Sequence, residues 1–388
     1  MKRINLDRRT LVLAGATALL AGCQIVPKGP VATPGPAPTP TPVPSESALP
    51  TDSTRHRVAL LVPMSGANGE VGTSIANAAT MALLDTNADN LRITTYDTAT
   101  DARSAAARAI ADGNKLILGP LMADNVGAVM AVARPANVPL ISFSNDSGIA
   151  AADVFVMGHI PGQSVARSVE YARQNGRSRF AAIVPEGEYG DRAEAALSGT
   201  LRSGGGTLVA TERYARGNTS IVSAAQRIKQ RGGFDTVLIA DGARLAAMAA
   251  NELKPRGQRT IQLVGTELWS GEAGLTRTAA LRGAMFSAVS DARFKRFSDS
   301  YKTRFGGQPY RIATLGYDGV LLALRVAQDW KVGRSFPVAK LRDEDGFLGL
   351  DGPFRFQRNG VVERAMEVRE VRDGQVAIVS PAPAKFGN

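Results

Sequence analysis

The chain has only one cysteine, Cys23, and only two histidines, His56 and His159, among its 388 residues. A single cysteine has no disulfide partner in the chain, and these residues cannot supply a His/Cys metal cluster. The histidines lie more than a hundred residues apart, and Ser65 lacks the G-x-S-x-G motif of a serine hydrolase. The sequence therefore predicts no enzyme, no metal and no cofactor.

Aromatic residues are also scarce, at 6% of the chain, and no run of Lys and Arg exceeds two or three residues despite a net charge of +11. Proteins that bind nucleic acids usually concentrate basic residues on one surface. We therefore expect no nucleic-acid partner. Anionic envelope polymers or lipid headgroups are better partners for such a dispersed basic charge.

Two patterns that could suggest a nucleotide or metal site are weak. Gly66, Gly69 and Gly72 are spaced three and three, whereas the dinucleotide fingerprint needs two and three. We interpret them as a flexible turn that lets the backbone approach the cleft. Asp97 and Asp101 could hold Mg²⁺, but an acid at position 101 is also explained without a metal, because Asp101 can cap the next helix.

A short apolar segment, residues 11–21, follows a basic start and leads into the run LAGC, which ends at Cys23. The segment is too short to span a bilayer and is typical of an export signal. The run resembles the lipobox of bacterial lipoproteins, in which the cysteine is acylated and becomes the new N-terminus. This resemblance implies a signal peptide over residues 1–22 and a lipid anchor on Cys23. An ordinary secreted protein is the alternative.

Residues 23–56 are predicted to form an acylated, proline-rich spacer, with nine prolines between positions 27 and 50. Proline fixes φ and lacks an N–H, so this segment favours extended polyproline II and cannot form a core. A proline-rich ligand for a partner module is the alternative to a spacer. Gln24, rather than aspartate, follows the cysteine, which favours the outer membrane and a periplasmic location.

From residue 57 onward, apolar β-branched runs alternate with helical patterns. The predicted strands lie at 57–63, 91–97, 115–120, 139–145, 179–185, 207–214, 236–241 and 262–268. Such alternation predicts an α/β fold with parallel sheets buried on both faces. More than 300 residues exceed what one core usually fills, so two lobes are expected, with a crossing at residues 155–163.

Seven segments then carry a family resemblance: VALLVPMSG, ILGPLMADN, VPLISFSND, AAIVPEGEYGDR, LVGTELW, LGYDGVLLAL and FLGLDGPFRFQRNG. In this order they resemble the type 1 periplasmic binding proteins, a bilobal family that includes the leucine-binding and other branched-chain amino-acid receptors. The resemblance covers about residues 57–379. It implies two doubly wound parallel-sheet lobes joined by three crossovers. Lobe one would comprise 57–159 plus 285–330, and lobe two 161–284 plus 335–379.

In this fold, ligands bind between the lobes at the carboxyl ends of the strands. The resemblance places seven residues in that cleft: Ser65, Ala123, Ser144, Asn145, Asp146, Tyr189 and Glu267.

Four of these positions bear on the ligand. Ala123 stands where the receptors offer a small hydroxyl residue to the ligand carboxylate. Asp146 stands at a threonine position, where it would repel a carboxylate unless it faces an ammonium group. Tyr189 and Glu267 match a cleft aromatic and the acid that pairs with the ligand ammonium, although helix packing and helix capping are equally good roles for them. A small amine-bearing ligand is therefore expected to fit better than a free α-amino acid.

The lipobox, the spacer and the run from residue 139 to 190 also resemble one branch of this fold, the penicillin-binding-protein activator lipoproteins. This implies a regulator of peptidoglycan synthesis that contacts a penicillin-binding protein or cell-wall material. The enterobacterial activator has an N-terminal helical-repeat domain that this chain lacks. The alternative is an ABC-transporter receptor for an amino acid, amide or small peptide, which a short outer-membrane tether would hinder from reaching its transporter.

Overall fold

The computed structural model of the protein describes residues 54–254 and 261–386. The predicted signal peptide, Cys23, Gln24 and the spacer as far as residue 53 lie outside the described residues. Within the described part of the chain, no helix is both long enough and apolar enough to cross a lipid bilayer.

The β-strands of the described residues form three sheets. In chain order they are β1 His56–Val62, β2 Leu91–Asp97, β3 Leu116–Leu118, β4 Leu140–Ser142, β5 Val154–Val156, β6 Arg179–Pro185, β7 Thr207–Tyr214, β8 Thr236–Ile239, β9 Gln262–Val264, β10 Met285–Ala288, β11 Phe347–Gly349, β12 Gly352–Phe356, β13 Val362–Arg364, β14 Glu367–Arg372 and β15 Gln375–Ser380. Seven of the eight runs predicted as strands contain one of them, and the eighth, 57–63, overlaps β1, which begins one residue earlier at His56.

The α-helices lie mostly between consecutive strands, as the alternating pattern predicts. They are α1 Gly69–Asp85, α2 Ala102–Ala111, α3 Asp124–Ala133, α4 Pro161–Gln174, α5 Glu188–Gly204, α6 Ser220–Arg231, α7 Ala243–Leu253, α8 Gly274–Arg277, α9 Ala292–Phe305 and α10 Thr314–Ala327. Asp101 caps α2, since its carboxylate accepts the N–H of Arg103 at 2.9 Å. This confirms the interpretation of Asp101 as a helix cap.

Lobe one is built on a parallel sheet in the order β2-β1-β3-β4-β5. Alternate residues of β1 enter two different cores: Val58 and Leu60 pack with α1 and α10, whereas Ala59 and Leu61 pack with α2 and α3. Because successive side chains of a strand point to opposite faces, both faces of this sheet are buried. Burial of both faces explains why the strand is an uninterrupted apolar run.

Lobe two repeats this arrangement in a sheet of order β15-β14-β10-β9-β8-β6-β7. The strands from β10 to β7 are parallel, and β14 and β15 complete the sheet as an antiparallel edge. Ala181 and Ile183 of β6 face α6 and α7, while Phe180 and Ala182 face α4 and α5. Two doubly wound lobes are thereby confirmed.

The strand pairing corrects the start of the second lobe-one segment, predicted at residues 285–330. β10 pairs with β14, and Met285 pairs with Val264 of β9, so residues 285–288 belong to the sheet of lobe two. The chain returns to lobe one only at α9, whose Phe297 and Tyr301 pack against α1. Four buried residues, MFSA, are too few to show a period from which their sheet could be predicted.

The last predicted segment of lobe two, residues 335–379, is corrected in the same way. β11, β12 and β13 form a small antiparallel sheet whose Phe354, Phe356 and Val362 lie in the core of lobe one. The ring of Phe356 meets that of Phe155 edge to face at 5.2 Å. Only β14 and β15 belong to lobe two, because the apolar face of the small sheet is buried against β5.

The chain therefore passes between the lobes three times, at residues 157–160, 289–291 and 365–366. The first passage lies within the run predicted as a crossing, which begins as β5. We call these three segments, which connect the two lobes, the hinge segments.

Glycine is required where α1 meets the end of β1. A Cβ atom on Gly72 would lie 1.7 Å from the carbonyl oxygen of Pro63, and Gly66 has a φ of +70°. A side chain at Gly72 cannot be accommodated unless the helix moves away from the turn. The close approach is therefore between α1 and the end of β1 within lobe one, rather than to the cleft as predicted.

Candidate functional site

A cleft of about 770 Å³ separates the two lobes at the carboxyl ends of their strands. Its walls include the loops after β3, β4 and β9, the start of α5 and parts of the three hinge segments. Six of the seven predicted residues line it: Ala123, Ser144, Asn145, Asp146, Tyr189 and Glu267. Their contact with a ligand stays a prediction.

Ser65 lies elsewhere, which corrects its placement in the cleft. It lines a separate surface hollow of lobe one, beside Glu70 and Tyr310. The side chain of Asp97 holds this turn, accepting the N–H of Met64 at 2.8 Å and the hydroxyl of Ser65 at 3.4 Å. The loop after β1 is therefore tied to the end of β2.

Glu267 is a half-buried acid of the cleft, in a short 3-10 turn after β9. Its carboxylate accepts hydrogen bonds from the hydroxyl of Ser164 and, at 3.1 Å, from that of Tyr189. Burial raises the pKa of Glu267, against these hydrogen bonds, which lower it. The structure shows no salt bridge between this carboxylate and a described residue. Glu267 can thus accept a proton or a hydrogen bond from a ligand.

Tyr189 fixes the position of that acid. Its hydroxyl lies 2.8 Å from the hydroxyl of Thr266 and 3.1 Å from Glu267, and the guanidinium of Arg216 lies 5.2 Å from its ring centre. Burial and the nearby charge of Glu267 raise the pKa of Tyr189 far above its ordinary range. Tyr189 therefore stays a neutral phenol that both packs in lobe two and orders the carboxylate.

Asp146 faces a cation from the opposite lobe. Its carboxylate lies 3.1 Å from the guanidinium of Arg192, which begins the second turn of α5. The same guanidinium contacts Glu188 at 3.1 Å and the amide oxygen of Asn145 at 3.5 Å. The expectation that Asp146 would repel a ligand carboxylate is therefore refined, because its charge is compensated by a guanidinium in the protein itself.

Acids outnumber bases along the cleft, although the whole chain is basic. The charged side chains that line it are Asp124, Asp146, Glu188, Glu267, Arg192 and Arg311. Arg311 is already engaged by Asp351, and burial lowers the pKa of His159, which disfavours its charged form. The cleft thus favours a neutral or cationic ligand over an anion.

A chain of ionic contacts connects the hinge segments behind this cleft. His159, in the first segment, lies 2.7 Å from Asp351, whose other oxygen lies 2.5 Å from Arg311. Arg311 also approaches Asp291 of the second segment at 3.6 Å, and Arg369 of lobe two binds Asp291 at 2.5 Å. Burial disfavours ionisation of Asp351, but Arg311, His159 and Arg364 outweigh it and lower its pKa. Charged side chains therefore connect both lobes at the hinge segments.

Sequence reasoning did not single out Ser164 or Arg192. Both lie near the start of helices that begin at the cleft, and Arg192 follows Tyr189 by three residues. Residues three apart share a face of a helix, so the prediction of Tyr189 in the cleft could have led to Arg192. For Ser164, no comparable pattern marks the site.

Solved structures share this architecture. A branched-chain amino-acid ABC transporter ligand-binding protein from Burkholderia xenovorans is 15% identical with a TM-score of 0.65, covering 86% of this chain and 96% of that one. A Rhodopseudomonas palustris solute-binding protein in complex with 3,4-dihydroxybenzoic acid is 21% identical with a TM-score of 0.63, covering 86% and 97%. LivJ from Streptococcus pneumoniae, in complex with isoleucine, is 20% identical with a TM-score of 0.59, covering 85% and 100%. At these identities the similarity shows the fold alone, and it confirms the predicted type 1 fold.

Sequence comparison places the chain in a family. The uncharacterised protein RP748 of Rickettsia prowazekii is 27% identical over 173 residues, which are 44% of this chain and 46% of that protein. The match thus spans less than half of this relative. The profile of the family described as periplasmic binding protein matches residues 56–375, so the chain belongs to the periplasmic binding protein family.

Proposed function

We propose that this protein is a periplasmic receptor that binds a small solute between its two lobes for delivery to an ABC transporter. The observation that carries the proposal is the cleft itself, with a half-buried carboxylate, that of Glu267, held in place by Ser164 and Tyr189. A cleft of about 770 Å³ has the size usual for small-molecule sites. The solute-binding neighbours support the same function through their shared fold.

The proposed solute has an apolar body and an amine or amide that donates hydrogen bonds. Phe143, Ile160, Ile312 and Met366 supply apolar surface in the cleft. Glu267 accepts the donor, and an ammonium would favour its ionised form. The cleft has an excess of acids and no hydroxyl at Ala123, so a free carboxylate on the solute would be unfavourable.

Binding of three molecules with one isobutyl group and different charges tests this proposal: leucinamide, leucine and 4-methylpentanoate. We expect leucinamide to bind most tightly, as measured by isothermal titration calorimetry and by thermal shift of the purified protein. At a ligand concentration of 100 times Kd, binding should stabilise the fold by about 2.7 kcal/mol.

Variants locate the site. Glu267→Gln should weaken leucinamide binding, and Tyr189→Phe should weaken it less because only one hydroxyl is lost. Glu272→Gln serves as a control, since Glu272 is an exposed acid of lobe two that does not line the cleft. Binding of 4-methylpentanoate alone, or equal leucinamide binding by native protein and the Glu267 variant, would contradict the proposed site.

A second candidate function is that of an outer-membrane lipoprotein that regulates peptidoglycan synthesis by contacting a penicillin-binding protein. It is favoured by one sequence observation, the lipobox that ends at Cys23 followed by a proline-rich spacer. Radiolabelled palmitate should be incorporated into the native chain and not into a Cys23→Ser variant. Capture of a bifunctional penicillin-binding protein by the anchored protein, together with failure to bind leucinamide, would favour this function over the receptor.

A further inference from the structure

We propose that Asp146 determines the charge selectivity of the cleft by occupying the guanidinium of Arg192, so that a ligand carboxylate finds no available cation there. The inference rests on the proposed receptor function and specifies which residue makes the receptor reject anions. It makes Asp146 a specificity-determining residue rather than a ligand-binding one.

The contact joins the two walls of the cleft. Arg192 comes from α5 of lobe two, and Asp146 follows β4 of lobe one, yet their side chains meet at 3.1 Å. Both are only 28% exposed, so water and salt screen the pair less than a surface ion pair. The guanidinium therefore has a fixed anionic partner at the place where it would otherwise meet a ligand.

Asp146 is held in place by its own loop. Its second carboxylate oxygen accepts the N–H of Gly148 at 2.9 Å, and its own N–H donates to the hydroxyl of Ser144 at 3.0 Å. These bonds fix the carboxylate before any ligand arrives. A ligand carboxylate would have to displace an acceptor that is already oriented, which favours Asp146 in the competition.

Glu188 is also 3.1 Å from Arg192 but cannot perform this function equally well. It lies on the same helix, one turn before Arg192, and its side chain is 83% exposed. Exposed pairs of this kind contribute little because solvent screens them and the long side chains are mobile. Glu188 therefore provides a matched control: an acid on the same guanidinium that neither crosses the cleft nor is fixed by a loop.

The test removes the charge of the Asp146 side chain and keeps its shape. In Asp146→Asn, the amide oxygen can still accept the N–H of Gly148, so the loop is preserved while Arg192 loses its cross-cleft anion. We expect affinity for 4-methylpentanoate to rise by about tenfold to a hundredfold, the usual worth of hydrogen bonds to a charged group. Leucinamide affinity should stay the same or fall, because the cleft has lost a negative charge.

Two further variants identify the cause of the gain. Glu188→Gln should leave 4-methylpentanoate affinity within about threefold of native protein, as expected for an exposed pair. The double variant Asp146→Asn with Arg192→Gln should lose the gained carboxylate affinity, because the liberated guanidinium is absent. If Asp146→Asn does not fold, Asp146→Ser provides the same loss of charge with a side chain that still accepts a hydrogen bond.

The outcomes separate this inference from the proposed function. Failure of native protein to bind leucinamide counts against the receptor, whatever the variants do. Failure of the folded Asp146 variant to gain 4-methylpentanoate affinity overturns the inference, even if native protein binds leucinamide. An equal gain in Glu188→Gln, or a gain that survives the loss of Arg192, overturns it as well.

Discussion

Replacing Asp318 by asparagine should change the way in which the stability of this protein depends on pH. Asp318 lies in α10, fully buried, and one carboxylate oxygen accepts the N–H of Leu350 at 2.6 Å. Its other oxygen is buried and has no hydrogen-bond partner. Asparagine has nearly the same shape and can still accept the N–H of Leu350, but it cannot ionise.

The magnitude follows from the pKa of Asp318. Burial and the negative charge of Asp351 raise this pKa from 3.8 to about 7, although Arg364 lowers it in part. Between these two values the folded protein holds a proton that the unfolded chain has lost. The stability due to the protonated acid is complete below pH 3.8 and is lost as the pH rises through about 7.

At about 1.36 kcal/mol per pH unit, the native protein should lose about 3 kcal/mol between pH 5 and pH 8 through this residue. The Asp318→Asn variant lacks this contribution. Its free energy of unfolding relative to native protein should therefore improve by about 3 kcal/mol between the two pH values. Any cost of the substitution that does not depend on pH is the same at both pH values, so it does not affect this change. The titration of His159 contributes equally to both proteins and cancels when they are compared.

Urea unfolding at pH 5, 6, 7 and 8 measures the effect. Tryptophan fluorescence reports on both lobes, because Trp330 lies in lobe one and Trp269 in lobe two. A two-lobed protein need not unfold in a single step, so far-UV circular dichroism is measured as well, and the free energies are compared only where the two midpoints coincide. Asp329→Asn is the control, an exposed acid paired with Lys340. If the Asp318 variant and native protein show parallel pH profiles, the folded protein does not hold a proton on Asp318 between pH 3.8 and about 7.

Two further substitutions test the close backbone approach at Gly72 and the ion pair between Asp351 and Arg311. Gly72→Ala should destabilise the fold by about 3 kcal/mol, the upper end for overpacking, because its Cβ would lie 1.7 Å from the oxygen of Pro63. Thermal unfolding measures the effect, with Gly127→Ala as the control because a Cβ there meets nothing within 4 Å. An equal Tm in both variants would contradict the prediction. Asp351→Asn should cost about 3–5 kcal/mol at pH 7, because it leaves Arg311 without its buried anion, and the cost should shrink as the pH falls toward the lowered pKa of Asp351. A cost that does not vary between pH 7 and pH 3 would show that this carboxylate is not the ionised partner of Arg311.

Most of the fold could be predicted from the sequence because its strands are buried on both faces. The predicted runs at 91–97, 179–185 and 207–214 coincide with β2, β6 and β7 residue for residue. Uninterrupted apolar runs separated by helical patterns are direct consequences of a sheet covered by helices on both sides. Short strands such as β5 and β10 carry too few residues for the same inference.

The lobe to which a late segment belongs could not be predicted. β11 to β13 were expected in lobe two because the family resemblance assigned residues 335–379 to that lobe, yet Phe354 and Phe356 pack in lobe one. A hairpin pattern specifies local pairing and turn positions, but the core that its apolar face joins depends on contacts with residues 200 positions earlier, such as Phe155. Such contacts leave no periodic signal in either segment.

The sequence by itself determined that this chain has two parallel α/β lobes, because burial on both faces and strand–helix alternation are local patterns. It also led to Tyr189 and Glu267 through family resemblance. Only the tertiary structure decided that Asp146 is paired with Arg192, that Ser164 and Tyr189 hold Glu267, and that Ser65 lies outside the cleft. These facts depend on distances between side chains that are brought together only when the two lobes fold and meet at the hinge segments.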